Sequence, residues 1–279
     1  MTAPVGLLAG AGRFPIAFAE KAKQCGIPVV CVGVAGMADP ALAQVCTRFH
    51  WLRRMSLGAV LRAFRSGGVR QWTMAGKFHK HLLFQPWRWV RLVPDWRAVR
   101  FFFFRRRPDN RDDNLLLGLI DEFRAEGFEC VSALDLCPEL LVRPGVLTRR
   151  PPTAAEERDI RFGWGLAKEM GRLDVGQSVM IREGTALAVE AIEGTDEAIR
   201  RAGGLCRRSG FVVVKVAKPQ QDMRFDVPTV GPATIETMRQ AGATALGVEA
   251  ARTILIDEAD TIAAADRHGI AIVSLADIS

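Results

Sequence analysis

The chain reads as α/β: a parallel-sheet domain in the N-terminal half and a mixed α+β domain in the C-terminal half. Three observations carry this expectation. Short apolar runs alternate with helix-spaced segments up to about residue 137, which is the pattern of a parallel sheet with helical crossovers. Residues 138–152 then hold four prolines, Gly145 and several basic residues, the composition of connecting chain. Beyond them the apolar runs become shorter and sit closer together.

Residues 5–9 (VGLLA) form a buried strand, closed by the turn Gly10-Ala11-Gly12. A helix follows over 15–25: Ile16, Phe18, Ala19 and Ala22 are apolar, with Glu20, Lys21 and Lys23 between them, and Pro15 suits its first turn. Residues 28–34 (PVVCVGV) give a second buried strand, 57–64 a helix, and 71–75 a third strand ending in Gly76-Lys77. The run 112–127 (DDNLLLGLIDEFRAEG) is a helix with Asp112 or Asp113 as its cap and Gly127 where a C-cap belongs. Residues 128–131 return to the sheet. The domains are therefore expected at 1–137 and 153–279, joined by 138–152. In the second, 154–170 is helical. Strands follow at 178–182, 186–191, 211–216, 246–249, 253–256 and 270–274, with helices at 196–202, 232–240 and 258–268.

The 279 residues, 49% of them hydrophobic, are ample for a buried core. The net charge of +7 suits nucleic acid, an anionic membrane or a phosphorylated substrate equally. Arginine dominates the positive side, which favours bidentate contacts to phosphate or carboxylate. Cys25, Cys31, Cys46, Cys130, Cys137 and Cys206 form no CxxC, which argues against a zinc site or a disulfide framework and for a reduced, cytoplasmic setting. The apolar N-terminus lacks a basic leader, so no signal peptide is expected. No run of about 18 apolar residues is present to span a bilayer.

The densest chemistry lies in 214–231 (VKVAKPQQDMRFDVPTVG) and 182–199 (REGTALAVEAIEGTDEAI). Lys215, Lys218 and Arg224 suit a diphosphate. Asp222 and Asp226, with Glu190 or Glu193, are the donors Mg²⁺ prefers, alongside substrate oxygens. On a strand, Lys215 points away from the side taken by Val214 and Val216. Gln177-Ser178, Gly194-Thr195 and Thr229 add neutral hydrogen-bonding groups.

In the first half, the turn Gly10, Ala11, Gly12, Arg13 opens a helix and can bring backbone N–H groups to a phosphate. The alternative is a tight βα turn with no ligand. A third fingerprint glycine is missing and no acidic residue ends the second strand at Val34, which disfavours a nicotinamide dinucleotide but leaves a nucleotide diphosphate. Gly76 and Lys77 end a strand where ligands bind in open α/β sheets; a solvated lysine reads the same way. Asp112 and Asp113 suit a metal or simply a helix cap. Residues 86–111 interleave three tryptophans and four consecutive phenylalanines with eight arginines. That mixture suits a bilayer interface, single-stranded nucleic acid, or a helix burying its rings. His50, His79, His81 and His268 do not form the pattern of a dinuclear metallophosphoesterase, so hydrolysis would rest on carboxylate-bound Mg²⁺ and a water.

GLLAGAGRFP at the start, RDDNLLL in the middle, and QSVMIREGTALAVEAIEGTDEAI followed by VKVAKPQQDMRFDVPTVGP resemble the UDP-2,3-diacylglucosamine pyrophosphatases of the LpxI family, which lack a metallophosphoesterase signature. The resemblance covers essentially the whole chain. It implies Mg²⁺-dependent hydrolysis of the UDP-2,3-diacylglucosamine pyrophosphate in lipid A synthesis. Water attacks the α-phosphorus, giving UMP and 2,3-diacylglucosamine 1-phosphate. It also implies a Rossmann-like N-terminal domain whose turn Gly10–Arg13 meets the UDP, a C-terminal domain for the acylated sugar, and an active site between them. Carried over by motif, Asp226 is the essential aspartate. Catalysis is thus expected from Asp226, Asp222 and Lys215, and metal binding from Asp226, Asp222 and Glu190. An acylated substrate implies association with the anionic inner-membrane surface. Nucleic acid is not expected as a partner, and a homodimer stays open. A protein that binds the UDP-sugar lipid without turnover is the rival reading.

Overall fold

The computed structural model describes residues 2–53, 56–76, 95–99, 112–206, 210–224 and 227–276. The chain divides into two compact units, Met1–Cys137 and Pro138–Ser279.

The first unit carries β1 (Val5–Ala9), α1 (Phe14–Gln24), β2 (Val29–Val34), α2 (Leu42–Val45), β3 (Arg48–Leu52), α3 (Leu57–Ser66), β4 (Gln71–Ala75), α4 (Trp96–Val99), α5 (Asp112–Ala125) and β5 (Glu129–Cys130). Its five strands run parallel in the order β3-β2-β1-β4-β5. That is the doubly wound arrangement, with its switch point between β1 and β4. Every residue of β1 is buried, as expected of a central parallel strand covered on both faces. Ser56 caps α3 by accepting the Ala59 N–H at 3.1 Å. Phe64, Trp72, Phe123 and Phe128 pack ring against ring between helix and sheet.

Here the sequence reading is incomplete. It places the strand at 71–75 third in the chain, but β3 precedes it. Arg48–Leu52 is an edge strand with three of its five residues exposed, so it lacks the apolar run that identifies a central strand. The histidine pair at 79 and 81 lies outside the described residues. So does most of the aromatic and arginine-rich stretch 86–111, apart from 95–99. The Asp112 and Asp113 side chains also lie outside the description.

The second unit carries β6 (Gly145–Val146), α6 (Ala154–Arg172), β7 (Ser178–Arg182), β8 (Thr185–Val189), α7 (Thr195–Leu205), β9 (Phe211–Lys215), β10 (Thr229–Val230), α8 (Pro232–Ala241), β11 (Ala243–Glu249), β12 (Ile254–Leu255), α9 (Glu258–Arg267) and β13 (Ala271–Leu275). Six of the strands form one sheet, β6-β13-β11-β9-β7-β8. Strands β13, β11 and β9 are parallel, while β6, β7 and β8 run antiparallel to their neighbours. The pleat sends alternate residues to opposite faces. Val212 and Val214 face α6, beside Ile160, Trp164 and Ala167. Phe211 and Val213 face α7, α8 and α9, beside Ile199, Met238 and Ala265. Gly163 brings α6 close to the sheet, since a Cβ there would lie 2.8 Å from Val214 Cγ2.

Two devices fix the frame. Thr153 and Glu156 form a reciprocal capping box at the start of α6, and Arg150 bonds Glu156 at 2.8 Å. Burial pushes the Glu156 carboxyl up, but hydrogen bonds from Arg150 and the Thr153 backbone outweigh it and hold the pKa at about 2. The β7–β8 hairpin turns at Glu183 (φ 49°) and Gly184 (φ 71°). Asp159 on α6 accepts both of their N–H groups at 2.8 Å. Residues 138–152, expected as connecting chain, meet this unit directly: β6 pairs with β13, and the Val142 N–H bonds Thr253 O at 2.9 Å.

Candidate functional site

In the first unit the expected glycines meet at the switch point. Gly10 donates its N–H to Ala75 O at 2.9 Å, holding the end of β1 to the end of β4. Gly12 and Gly76 have φ of +100° and +91°, a region side chains disfavour. A Cβ on Gly76 would lie 2.6 Å from Ala11 O. The turn 10–12 and Gly76 therefore touch through backbone, and only glycine permits it. Helix α1 begins immediately after, with Arg13 as N-cap, no side-chain capping bond, and Pro15 in its first turn. The first N–H groups of a helix have no intrahelical partner, and with the helix dipole they favour an anion. Arg13 itself pairs with Glu20 at 3.1 Å. Lys77 lies outside the described residues.

In the second unit the chemistry collects at the C-terminal ends of the parallel strands. Lys215 ends β9, with Ser178 opposite it on β7, and Glu190 follows β8, its N–H bonded to Ser178 O at 2.9 Å. Thr195 opens α7, after Gly194 at φ 86°. The Lys215 ammonium is 4% exposed as a residue. It donates to Thr195 Oγ1 at 3.1 Å and to Thr229 O at 3.0 Å. Thr195 Oγ1 donates to Glu190 Oε1 at 3.0 Å and lies 3.4 Å from Ser178 Oγ. Lys215, Glu190, Thr195 and Thr229 are thus brought together. Gln177 sits next to them in sequence, its carbonyl accepting the Val216 N–H at 3.0 Å. Two buried oxygens here, Glu190 Oε2 and Gln177 Oε1, have no hydrogen-bond partner among the described residues. An orphaned buried carboxylate oxygen is costly unless a cation or a donor meets it.

The other candidates hold ion pairs of their own. Asp222 takes the Arg224 guanidinium on both oxygens, at 2.9 Å to Oδ1 and 3.1 Å to Oδ2. Burial raises its pKa, but the Arg224 bonds prevail and the carboxyl falls below the usual aspartate range. Lys218 pairs with Asp174 at 2.6 Å, and Glu193 with Arg201 at 2.6 Å. Asp226 lies outside the described residues. Among the described residues, no three His, Cys, Asp or Glu side chains are grouped to hold a metal ion.

Sequence reasoning missed an ion pair beside this site. Glu249 ends β11 at 1% exposure and bonds Lys168 through both oxygens, at 2.7 and 2.8 Å. The same carboxylate accepts the Ala217 N–H at 2.7 Å, and Lys168 donates to Ala217 O at 3.2 Å. Residue 217 lies past the end of β9, so these side chains replace the ladder bonds it no longer has. The signal was present: Glu249 closes the apolar run ATALGV, and a carboxylate at the end of a buried strand marks the ligand end of a sheet.

Among the described residues, no helix is long and apolar enough to cross a membrane. Compared with known proteins, residues 4–140 match the LpxI N-terminal domain model and 143–273 the LpxI C-terminal domain model. The chain is similar to a protein of Caulobacter vibrioides named UDP-2,3-diacylglucosamine pyrophosphatase LpxI. The two are 32% identical over 97% of each chain.

Proposed function

The chain belongs to the LpxI family, and from that premise we propose that it hydrolyses the pyrophosphate bond of UDP-2,3-diacylglucosamine, giving UMP and 2,3-diacylglucosamine 1-phosphate. The observation that carries the reading is 32% identity across 97% of both chains to the protein bearing that name. The buried Lys215 cluster at the strand ends is the chemistry such a reaction needs. A diphosphate gathers negative charge as its bridge breaks, and a preorganised ammonium with little water around it stabilises that charge strongly. Lys215 is assigned that role in the second unit; in the first unit, taken by itself, the 10–12 turn and the α1 N-terminus are the groups suited to a nucleotide phosphate. Asp226 is the carboxylate assigned to the attacking water.

Mg²⁺ is the proposed cofactor, with Glu190, Asp222 and Asp226 as its ligands. Glu190 fits, because its Oε2 is buried and lacks a partner among the described residues. Asp222 would share its oxygens between the ion and Arg224. Bound there, Mg²⁺ would neutralise diphosphate oxygens and acidify a water. The substrate's acyl chains call for apolar surface, and Ile192, in the loop between Glu190 and Thr195, is 88% exposed. With a net charge of +7, this fits peripheral association with an anionic inner-membrane surface on the cytoplasmic side.

The test is phosphorus NMR of UDP-2,3-diacylglucosamine hydrolysis in H₂¹⁸O, with and without Mg²⁺, for the parent and Asp226→Ala. Mg²⁺-dependent release of ¹⁸O-labelled UMP by the parent, absent in the variant, is expected. Label in the lipid product moves the attack to the other phosphorus. Tight binding of the substrate without turnover overturns the enzyme in favour of a binding protein.

A further inference from the structure

Thr195 reads in the sequence as a hydroxyl for the substrate, but its bonds are already committed inside the protein. A threonine hydroxyl has one proton to give and two lone pairs. The Lys215 ammonium has no lone pair, so it donates to Thr195 Oγ1 at 3.1 Å. The Glu190 carboxylate accepts, so the single Thr195 proton goes to Glu190 Oε1 at 3.0 Å. The direction of both bonds is therefore fixed by the partners' chemistry.

The burial makes this arrangement consequential. Lys215, Thr195 and Glu190 are exposed by only 4%, 8% and 8%. Two long, flexible side chains of opposite charge thus meet on one short, branched residue with restricted χ1. Thr195 opens α7 directly after Gly194, whose φ of 86° sets the direction in which the helix leaves the loop. Its position is thus tied to an 11-residue helix rather than to a loose side chain.

We propose that Thr195 is a positioning residue: its hydroxyl holds the Lys215 ammonium and the Glu190 carboxylate in one hydrogen-bonded line, and it sets their placement against the diphosphate without touching the substrate. This rests on the pyrophosphatase reading. A group that acts only through Lys215 in the transition state changes kcat and leaves ground-state binding alone, whereas a direct substrate contact changes KM.

The experiment compares the full chain with Thr195→Val and Thr195→Ser, measuring UDP-2,3-diacylglucosamine hydrolysis well below the unfolding temperature of each. Valine keeps the shape and loses the bonds to Lys215 and Glu190 together with the 3.4 Å contact to Ser178 Oγ; serine keeps the hydroxyl and loses a methyl. The expected result for valine is kcat reduced about 100-fold, the scale of a small misplacement of a reacting group, with KM within about twofold. Serine is expected to restore kcat to within about threefold of the parent. Thr195→Ala, which leaves room rather than a methyl beside the two charges, is measured alongside and is expected to follow valine, so the comparison survives if valine does not fold. Unchanged kcat in the folded valine or alanine variant overturns the proposal, as does a rise in KM at constant kcat. Absence of turnover by the parent overturns the pyrophosphatase reading, and this inference with it. Turnover by the parent with an indifferent Thr195 overturns this inference alone.

Discussion

The two candidate regions are built from different material. At the β1–β4 switch point the surface is backbone: Gly76 against Gly10 and Ala11, and the start of α1 without a side-chain cap. At the end of β9 it is side chain: a buried lysine and a buried carboxylate joined by a threonine. A backbone site tolerates no added atom where two segments touch, as at Gly76, but has no side chain to lose. A side-chain site has the opposite sensitivity, because removing one member of a buried polar set strands the others. The comparison teaches that substitutions should be chosen differently in the two units.

The sharpest challenge to it is Glu249→Ala. If the β9 end is held by buried charges, this variant leaves Lys168 and the Ala217 N–H without their partner. It is expected to lose about 3–5 kcal/mol of unfolding free energy in a denaturant titration. A loss below about 1 kcal/mol would mean the strand end is held by packing alone.

Gly76→Ala probes the other unit. One methyl meets Ala11 O at 2.6 Å on a backbone with φ of +91°. The expected cost is about 2 kcal/mol, accompanied by weaker UMP binding in calorimetry. Normal UMP affinity would remove the 10–12 turn from the nucleotide site.

The smallest effect sharpens the frame rather than the sites. Glu156 has a folded pKa of about 2 against an ordinary 4.5. A depressed carboxyl contributes stability that is fully present above 4.5 and is lost as pH falls toward 2. Glu156→Gln is expected to cost about 1 kcal/mol at neutral pH, and the gap to the parent should close over that acid window. A gap that stays constant down to pH 2 would assign the effect to shape rather than charge.

Much of the backbone site was legible in the sequence, because glycine is placed for conformational reasons that leave a local trace. Gly10-Ala11-Gly12 follows an apolar run, and Gly76 ends another. The side-chain site was legible in part. Lys215 alternates with valines, which points it away from Val214's face, and Glu190 and Thr195 fall in one dense segment. Pairing was not legible. A carboxylate two residues from an arginine reads the same whether it faces a cleft or that arginine, and Asp222 faces Arg224. The Lys218–Asp174 pair joins residues far apart in the chain. Nothing in the local sequence singles out Lys168, whose ammonium lies over the Trp164 ring, at 5.5 Å.

The chain just ahead of α6 has a practical consequence for dissecting the molecule. Arg150 bonds Gly269 O at 2.8 Å and Thr244 O at 2.6 Å, and β6 lines the outer side of β13. A C-terminal fragment started at Thr153 would discard these clasps and bare β13 as a raw sheet margin, the kind of surface on which chains self-associate. One started at Pro138 would keep its own selvedge, so the residues 138–152 decide between a stable piece and an adhesive one.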